Sequence, residues 1–406
     1  MGLGLALTPE RPWAFAFAFG LGLAAVYPWL IYPAVLPLVA ARARRLAFAD
    51  PAEWPSLTVL IAARNEEAHI AERVANILGQ DYPRGRLAIV CVSDASTDRT
   101  DALFTEAARA LGERAVLLRQ PAQSGKPAAL VAGWREVRSD VVVLTDANSH
   151  FEPGALRALA RPFADARVGA VAGVKRIRVP EDAATHDAGE GFYWRMEARL
   201  RAGESRLGLC QSADGACWAV RRELWDGSGP TAGRFADDLW GPLHVQEQGY
   251  RVVSNPDAVA SEDAAPSTVA EVRRKRRTQY GTFLLLPYLG WMLRPGRWPA
   301  LWCFLSHKAL RLVTPWALIA HAAVLALAGG AWTSVAAAEP VAAGALMLLA
   351  ASPLPTPGPL RVLGHAGYFL IALAGPALAG IDAVRALLRW HPGEAAHHVS
   401  RETTRR

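Results

Sequence analysis

Cysteine is scarce in this chain of 406 residues, and the few cysteines present show no metal-binding spacing. Cys91, Cys210, Cys217 and Cys303 form no C-x-x-C pair and have no paired histidines nearby, so the sequence predicts no zinc site. The chain also lacks the full G-x-x-x-x-G-K-S/T pattern of P-loop nucleotide hydrolases and any Ser/His/Asp or Cys/His grouping. We expect reduced, partly buried thiols and no covalent catalysis by a protein nucleophile.

Charged residues are absent or few in several long apolar runs. Residues 13–41 carry no charged side chain, and this run exceeds the roughly 20 residues that a bilayer requires. A signal peptide is the alternative, but the run is longer than such a core and no clean cleavage site follows it. Strong runs also cover 310–332 and 363–384, whereas 335–354 is interrupted by an acid and a proline. The sequence therefore predicts one N-terminal span and two or three C-terminal spans.

Basic residues flank these runs unevenly. Arg42, Arg44 and Arg45 follow the first run, whereas the segment before it contains only Arg11. By the positive-inside rule, the polar middle of the chain lies in the cytoplasm of an integral inner-membrane protein. The side of the C-terminus stays open, because it depends on the number of spans. We attribute the net charge of +7 to contact with anionic membrane lipids and expect no nucleic-acid partner.

The predicted organisation has five parts. They are an N-terminal transmembrane anchor (1–50), a catalytic domain (51–270), a basic segment with amphipathic interface helices (271–312), C-terminal transmembrane helices (313–390) and a polar tail (391–406).

Strand and helix patterns alternate through the polar middle. Apolar runs with strand character are SLTVLIAA (56–63), LAIVCV (87–92), AVLLRQ (115–120) and the beginning of VVVLTDANSH (141–150). Segments with helical spacing separate them. Strands that are apolar on both faces favour a parallel sheet covered by helices, and such sheets bind ligands at the carboxyl ends of their strands.

Polar residues follow three of these strands. Arg64 and Glu66 follow the first, Asp94 the second, and Asp146 with Asn148 the fourth. Oxygen donors at i and i+2 suit Mg²⁺ or Mn²⁺, which bind one or two carboxylates together with substrate phosphates. Capping of the helix in FEPGALRAL is the alternative role for the last two residues.

Two further segments could bind a nucleotide. Asp94 could accept hydrogen bonds from a base or a ribose, or could cap the helix that starts near Thr97. The segment Ser124-Gly125-Lys126 precedes a helix and offers a cation and free N–H groups to a phosphate.

Adjacent acids and a basic run follow later in the chain. Asp237 and Asp238 precede a helical segment, and like charges raise one another's pKa, which makes the pair a candidate general base. The run VRRKRRTQYG (272–281) either contacts lipid headgroups or binds a departing diphosphate.

Taken in order, these motifs resemble the membrane-integrated family 2 glycosyltransferases with a GT-A fold, which include chitin-oligosaccharide, hyaluronan, cellulose and poly-N-acetylglucosamine synthases. The resemblance implies an α/β fold with a Rossmann-like, mixed but mostly parallel sheet, flanked by transmembrane and interface helices. VLIAARNEE, with Arg64 and Glu66, resembles the opening strand and loop beside the nucleotide. VCVSDASTDRT resembles the second strand, whose Asp94 would contact the uracil or ribose of a UDP-sugar.

Later motifs extend the resemblance. QSGKPAAL is similar to the glycine–lysine segment beside the nucleotide, which contains Lys126. LTDANSHFEPGAL matches the DxD motif in an Asp-Ala-Asn form, which implies that Asp146 and Asn148 lie at the metal and diphosphate. FADDLWGPLHVQEQGYRVVSNPDA resembles the segment in which Asp238 is the catalytic base, with Asp237 in support.

One motif departs from the family pattern. Polymer-forming synthases carry Q-x-x-R-W before the interface helix, and alignment to this chain places Arg273 at Gln, Arg276 at Arg and Arg277 at Trp. A diphosphate-binding cation is retained, but the acceptor-site Trp is absent. The departure puts processive synthesis in doubt and leaves sugar transfer intact.

The resemblance implies an inverting hexosyltransferase that uses Mg²⁺ or Mn²⁺ and a nucleotide-sugar donor, expected to be a UDP-sugar. Its expected acceptor is a saccharide, in extracellular polysaccharide or oligosaccharide synthesis at the membrane. The alternative is transfer of one sugar to a polyprenyl phosphate or another lipid. A non-catalytic sensor or scaffold would require loss of the acids, and a transporter is a poorer fit because no charged residues interrupt the middle of the strong spans.

Overall fold

The structure is a computed structural model that describes residues 9–43, 48–178, 185–231, 235–264, 267–350 and 361–388. The predicted polar tail (391–406) lies outside the described residues, as do Arg44 and Arg45.

A single eight-stranded sheet forms the centre of the polar region. Its strands are β1 (Leu57–Ala63), β2 (Leu87–Ser93), β3 (Ala115–Arg119), β4 (Val141–Asp146), β5 (His150–Phe151), β6 (Val168–Arg178), β7 (Trp218–Arg221) and β8 (Arg251–Asp263). They are ordered β3-β2-β1-β4-β7-β6-β8-β5. The first four strands in this order pair in parallel, β7 is antiparallel to β4 and β6, and β5 is antiparallel to β8. The predicted mixed, mostly parallel sheet is therefore confirmed.

The helices of the polar region cover both faces of this sheet. They are α3 (Ile70–Leu78), α4 (Thr100–Ala107), α5 (Lys126–Trp134), α6 (Ala155–Ala160), α7 (Thr185–Leu207), α8 (Asp237–Glu247) and α9 (Thr268–Leu285). One apolar cluster joins one face of the sheet to α3, α4 and α6, and a second joins the opposite face to α5 and α8. Burial on both faces explains the continuous apolar runs in β1, β2 and β4.

Four helical segments among the described residues are long and apolar enough to cross a membrane. They are span 1 (Pro12–Ala40), span 2 (Trp298–Leu327), span 3 (Ala331–Ala350) and span 4 (Leu363–Ala386). The predicted run at 335–354, which contains an acid and a proline, therefore forms a helix as far as Ala350, in spite of Pro340 within it. Span 2 begins before the predicted run at 310–332 and ends at Leu327. Gly329 and Gly330, with positive φ angles of 76° and 59°, separate it from span 3.

Spans 1 and 2 each contain a π-helical turn. The turn Tyr27–Ile31 interrupts span 1 between α1 (Pro12–Val26) and α2 (Tyr32–Ala40). The turn Leu305–Ala309 interrupts span 2 between α10 (Trp298–Phe304) and α11 (Leu310–Leu327). Spans 3 and 4 correspond to α12 (Ala331–Ala350) and to most of α13 (Arg361–Leu388).

Two helices connect the catalytic domain to the spans. Helix α7 packs on β6 and β8 and also contacts α2 and α13. Helix α9 begins at the Ser267 cap, whose Oγ accepts a hydrogen bond of 3.2 Å from the Ala270 amide, and packs along α13. The predicted boundary between residues 270 and 271 falls inside α9, and the predicted division into parts stays a prediction.

Candidate active site

Asp94 follows β2 and holds the loop that leads to α5. Its carboxylate accepts hydrogen bonds from the amides of Ser124 (2.6 Å) and Gly125 (2.9 Å), and Asp94 is only 5% exposed. Gly125 has φ +85°, a conformation that favours glycine. The alternative that Asp94 caps the next helix is wrong, because α4 begins at Thr100, whose amide donates to Asp98 at 3.0 Å.

Lys126 begins α5 and lies between two carboxylates. Its Nζ atom is 2.8 Å from Asp146 Oδ1 and 3.6 Å from Asp237 Oδ2. Burial alone would lower the pKa of Lys126, but the two carboxylates outweigh this effect and raise it. The lysine therefore stays charged and brings the C-terminal end of β4 and the N-terminal end of α8 together.

Asp237 and Asp238 form the first turn of α8. Burial raises the pKa of Asp237, and the Asp146 carboxylate adds to the rise, against the opposing effect of Lys126. Burial, together with the negative charges of Asp237 and Asp214, raises the pKa of Asp238 to about 7. A carboxyl group with a pKa near neutral pH is suited to proton transfer.

Asp146 and Asn148 lie beyond the strand section of β4 that is buried on both faces. The Asp146 side chain is 35% exposed, and Asn148 is exposed. The helix-cap alternative is wrong for both residues, since α6 begins at Ala155 with Gly154 at its N-cap. Both side chains are free of a capping role at the edge of the candidate site.

The loop after β1 contributes Glu66 to the same region. Its backbone amide donates to Thr100 Oγ1 at 2.8 Å. Burial raises the pKa of Glu66, and the Asp146 carboxylate contributes to the rise. Arg64 is exposed at the beginning of this loop. The structure therefore brings Glu66, Asp94, Lys126, Asp146 and the α8 acids together at the predicted edge of the sheet.

Within the basic run on α9, Arg276 pairs with a carboxylate of α13. The Arg276 guanidinium binds both carboxylate oxygens of Asp382 on α13, at 2.6 and 2.7 Å. A Cβ atom on Gly281 would lie 3.2 Å from the backbone nitrogen of Ala236, so the Gly281 face of α9 abuts the chain just before the α8 acids. At about 100° per residue, Arg277 lies near that face and Arg276 points about 140° away from it.

The other cations of the run also have distinct environments. Arg274 pairs with Glu190 and with Glu271 at 2.5 Å, and Lys275 lies 3.2 Å from Glu271. These pairs tie α9 to α7 and balance part of the basic charge. Arg273 is exposed and, by the same helical geometry, lies about 80° from the Gly281 face.

Sequence reasoning missed a buried pair beside the acids. Asp214 Oδ1 is 3.2 Å from Lys175 Nζ, and Lys175 also lies 2.9 Å from Glu262 Oε2. The next residue is Gly215. A Cβ atom at this position would lie 3.1 Å from Lys126 Nζ, so the glycine leaves space for the lysine side chain. An acid followed by glycine within the apolar stretch SADGACWAV was the available signal.

The residues present fit a divalent cation that also binds substrate phosphates. Among the described residues there is no group of three or more His, Cys, Asp or Glu side chains that could hold a metal by themselves. Asp237 Oδ2 is nevertheless buried without a hydrogen-bond partner, and it lies with Asp146 around the ammonium of Lys126. Mg²⁺ and Mn²⁺ sites of this kind use one or two carboxylates and take further oxygens from the substrate.

Comparison with known proteins identifies the class. The family model described as glycosyltransferase like family 2 matches residues 55–282, more than half of the chain. The chain therefore belongs to this glycosyltransferase family and is a glycosyltransferase with a GT-A-type domain.

Two relatives within the family are named for different transfer reactions. A beta-monoglucosyldiacylglycerol synthase of Synechocystis sp. is 26% identical, covering 66% of this chain and 60% of the relative. An N-acetylglucosaminyltransferase of Rhizobium leguminosarum bv. viciae is also 26% identical, covering 58% of each chain. This chain thus spans about 60% of the length of the curated relatives that it matches.

A solved structure extends the likeness to most of the chain. A mannosyltransferase from Pyrobaculum calidifontis, in complex with GDP-Man and Mn²⁺, is 27% identical with a TM-score of 0.68. The match covers 90% of this chain and 98% of that structure.

Proposed function

We propose that this glycosyltransferase inverts the anomeric centre and that Asp238 is its general base. The observation that carries the proposal is the position of Asp238. It is next to Asp237 at the start of α8, beside the Lys126–Asp146 pair, with a pKa raised by burial and neighbouring carboxylates to about 7. Such a carboxyl group is ionised in a useful fraction at neutral pH and still accepts a proton effectively.

The proposed reaction is a single displacement. The acceptor oxygen forms a bond to the anomeric carbon, the bond from that carbon to the diphosphate oxygen breaks, and the acceptor proton passes to Asp238. Lys126 and Arg277 are proposed to bind the departing nucleoside diphosphate by charge. Asp237 keeps Lys126 in place and raises the basicity of Asp238.

Asp146, with Asn148 beside it, is the proposed metal ligand. A bound Mg²⁺ or Mn²⁺ would supply further positive charge for the leaving diphosphate. Glu66, Asp94 and Arg64 are proposed to line the nucleotide pocket. Asp94 contributes there through the Ser124–Gly125 loop that its carboxylate holds.

Arg277 replaces Arg276 in the proposed diphosphate site, because Arg276 is bound to Asp382 on the opposite side of α9. Arg273, farther from the Gly281 face, stays a weaker candidate for the same role.

The proposed acceptor is a hydroxyl group of a membrane lipid that receives one sugar. Helix α8, which carries the base, shares one apolar cluster with the 3₁₀-helical segment Leu286–Leu293, called here the interface segment. Leu239 on α8 and Leu289 and Met292 on the interface segment are members of this cluster. Leu293 at the end of this segment and Trp298 at the beginning of span 2 are 70% and 67% exposed, as expected for side chains that enter a bilayer surface. The helix that carries the base therefore shares its core with the segment proposed to lie at the cytoplasmic membrane surface.

Transfer to a saccharide is the second candidate. It is favoured by the double-acid segment, by the basic run that precedes the interface segment and by the likeness to an N-acetylglucosaminyltransferase. The arginine run lacks the tryptophan of polymer-forming synthases, so we rank this candidate below the lipid acceptor.

One labelling experiment tests donor and acceptor together. Membranes containing the protein are incubated with radiolabelled UDP- and GDP-sugars and with Mg²⁺ or Mn²⁺, and the label is followed into organic extract and into polymer. We expect label in the organic extract, dependent on the divalent cation. Label only in water-soluble saccharide or polymer would refute the lipid acceptor, and no transfer from any donor would refute the catalytic proposal. Membranes containing the Asp238→Asn variant are the matched control.

A further inference from the structure

A buried ionic junction joins spans 1 and 2 to the catalytic domain. His307, in the π-helical turn of span 2, is fully buried between two carboxylates of α7. Its Nδ1 atom is 2.7 Å from Glu204 Oε1, and its Nε2 atom is 3.0 Å from Glu197 Oε2. Both ring nitrogens are therefore in position to donate a hydrogen bond to a carboxylate.

The Glu204 carboxylate binds the membrane spans with one oxygen and the segment that leads to the active site with the other. Oε1 accepts from His307 and, at 2.8 Å, from the hydroxyl of Tyr32 in span 1. Oε2 accepts from the backbone amide of Gln211 at 3.1 Å. This carboxylate is 0% exposed, so its hydrogen bonds compete with no solvent and are costly to lose.

The segment that begins at Gln211 leads directly to the proposed catalytic residues. The Ala213 amide donates to the backbone oxygen of Asp238 at 2.7 Å. Gly215, two residues later, faces Lys126 and Asp146. Residues 211–214 have no regular secondary structure, so hydrogen bonds of this kind determine where the segment lies.

We propose that His307 is a positioning residue for sugar transfer: through Glu204 it holds segment 211–215 against Asp238, so a membrane helix determines the catalytic geometry. The inference rests on the proposed role of Asp238. Glu197 keeps two cationic neighbours when His307 is replaced, since Arg311 binds it and Lys308 lies 3.6 Å away. Among the described residues Glu204 is bonded to no Lys or Arg side chain, so replacement of His307 mainly weakens the contact that leads to the active site.

Two substitutions at one position separate the two contacts. In His307→Asn the amide nitrogen takes the place of Nδ1 and can still donate to Glu204, whereas in His307→Gln it takes the place of Nε2 and can donate only to Glu197. We expect kcat to fall about 10–100-fold in His307→Gln, as for a catalytic group displaced by about 1 Å. His307→Asn should lose less, about threefold, because the bond to Glu204 is retained. The KM for the nucleotide sugar should stay within about twofold in both variants, because the interaction lost acts on the transition state.

The matched control is Ser306→Ala. Ser306 precedes His307 in the same turn, is 2% exposed and binds the Tyr27 hydroxyl at 3.0 Å, but it does not contact Glu204. It should leave kcat and KM within about twofold of the unsubstituted protein, as for a hydrogen bond remote from the chemistry.

Detergent-purified proteins are compared by thermal unfolding before the kinetics. Equal losses of kcat in His307→Gln and His307→Asn, or unchanged kcat in folded His307→Gln, would overturn the proposal. If His307→Gln does not fold, Tyr32→Phe removes one donor to Glu204 and should lower kcat with KM unchanged, and unchanged kcat would then refute the inference. Asp238→Asn is measured alongside: retained transfer in that variant contradicts the proposed base, whatever the His307 variants show.

Discussion

Replacement of Asp238 by asparagine is the most direct test of the catalytic proposal. The substitution keeps the size and the start of α8 but removes the proton acceptor. A general base contributes about 10²–10⁴-fold to the rate, which corresponds to about 2.7–5.4 kcal/mol of transition-state stabilisation at about 1.36 kcal/mol per tenfold. We therefore expect kcat to fall by at least about 100-fold. Binding of the nucleotide sugar should be nearly unchanged, because Lys126 and Asp146 keep their contact at 2.8 Å.

The pH dependence gives the same test an independent readout. Because the pKa of Asp238 is raised to about 7 and the base acts only when ionised, kcat/KM should fall as the pH drops below 7. The slope should approach about tenfold per pH unit. In Asp238→Asn this acidic limb should disappear.

Asp237→Asn is the matched control for the pH profile. Removal of the neighbouring negative charge should lower the pKa of Asp238, so the acidic limb should move to lower pH. The assay is initial-rate transfer from a labelled donor between pH 5 and 8, with binding measured separately by equilibrium dialysis. An Asp238→Asn protein that keeps more than about a tenth of the wild-type kcat/KM, or keeps the same acidic limb, would refute the assignment of the base.

Five further substitutions test the donor side of the site. Asp146→Ala should raise the Mn²⁺ concentration needed for half-maximal transfer far more than Asn148→Ala, since a carboxylate binds the ion more strongly than an amide; equal effects would contradict this. Arg277→Ala should lower kcat about tenfold or more by loss of charge on the diphosphate, while Arg276→Ala should leave kcat near wild type, and the reverse order would restore the alignment-based assignment. Gly215→Ala places a methyl group 3.1 Å from the site lysine and should raise the donor KM, as measured by donor titration.

The core of the sheet and most of its polar edge were predictable from the sequence. β1, β2 and β4 are buried on both faces, and this requirement produces the continuous apolar runs from which they were predicted. Asp94 and Asp146 end two of these strands, so a parallel arrangement alone brings them to one edge. These physical reasons account for the predicted parallel part of the sheet, whereas the GT-A fold was implied by the family resemblance and is confirmed by the family match and the similar solved structure.

The direction of the arginine side chains was not predictable. Arg276 and Arg277 are adjacent in sequence, and a short motif can be aligned to either of them. The choice depends on the rotation of α9 about its axis, which is set by the approach of Gly281 to Ala236 and by the pairing of Arg276 with Asp382, 106 residues away. Contacts between residues so far apart in the chain produce no local pattern in the sequence.

The junction at His307 was missed for the same reason. Its partners Glu204 and Glu197 are 103 and 110 residues away, on a helix whose charged residues look solvent-exposed in sequence. A histidine and a lysine before an apolar run are typical of a membrane boundary. The sequence therefore did not distinguish His307 from an ordinary residue at the membrane surface.

The two π-helical turns give this junction an unusual kind of specificity. Tyr27 and Ser306, one from each turn, meet at 3.0 Å, and His307 follows directly. A π-helical turn closes with one residue more than an α-helical turn, so Leu305–Ala309 takes up an extra residue while α11 stays nearly in the register of a regular helix. If the same five residues formed a regular α-helical turn, all that follows would be rotated by about 100°, and Arg311 would leave Glu197 although no side chain had been replaced. The fit between the membrane anchor and the enzyme thus depends on the extra residue of the π-helical turn as much as on residue identity. A chimeric span of matching composition would need to keep this turn to support sugar transfer.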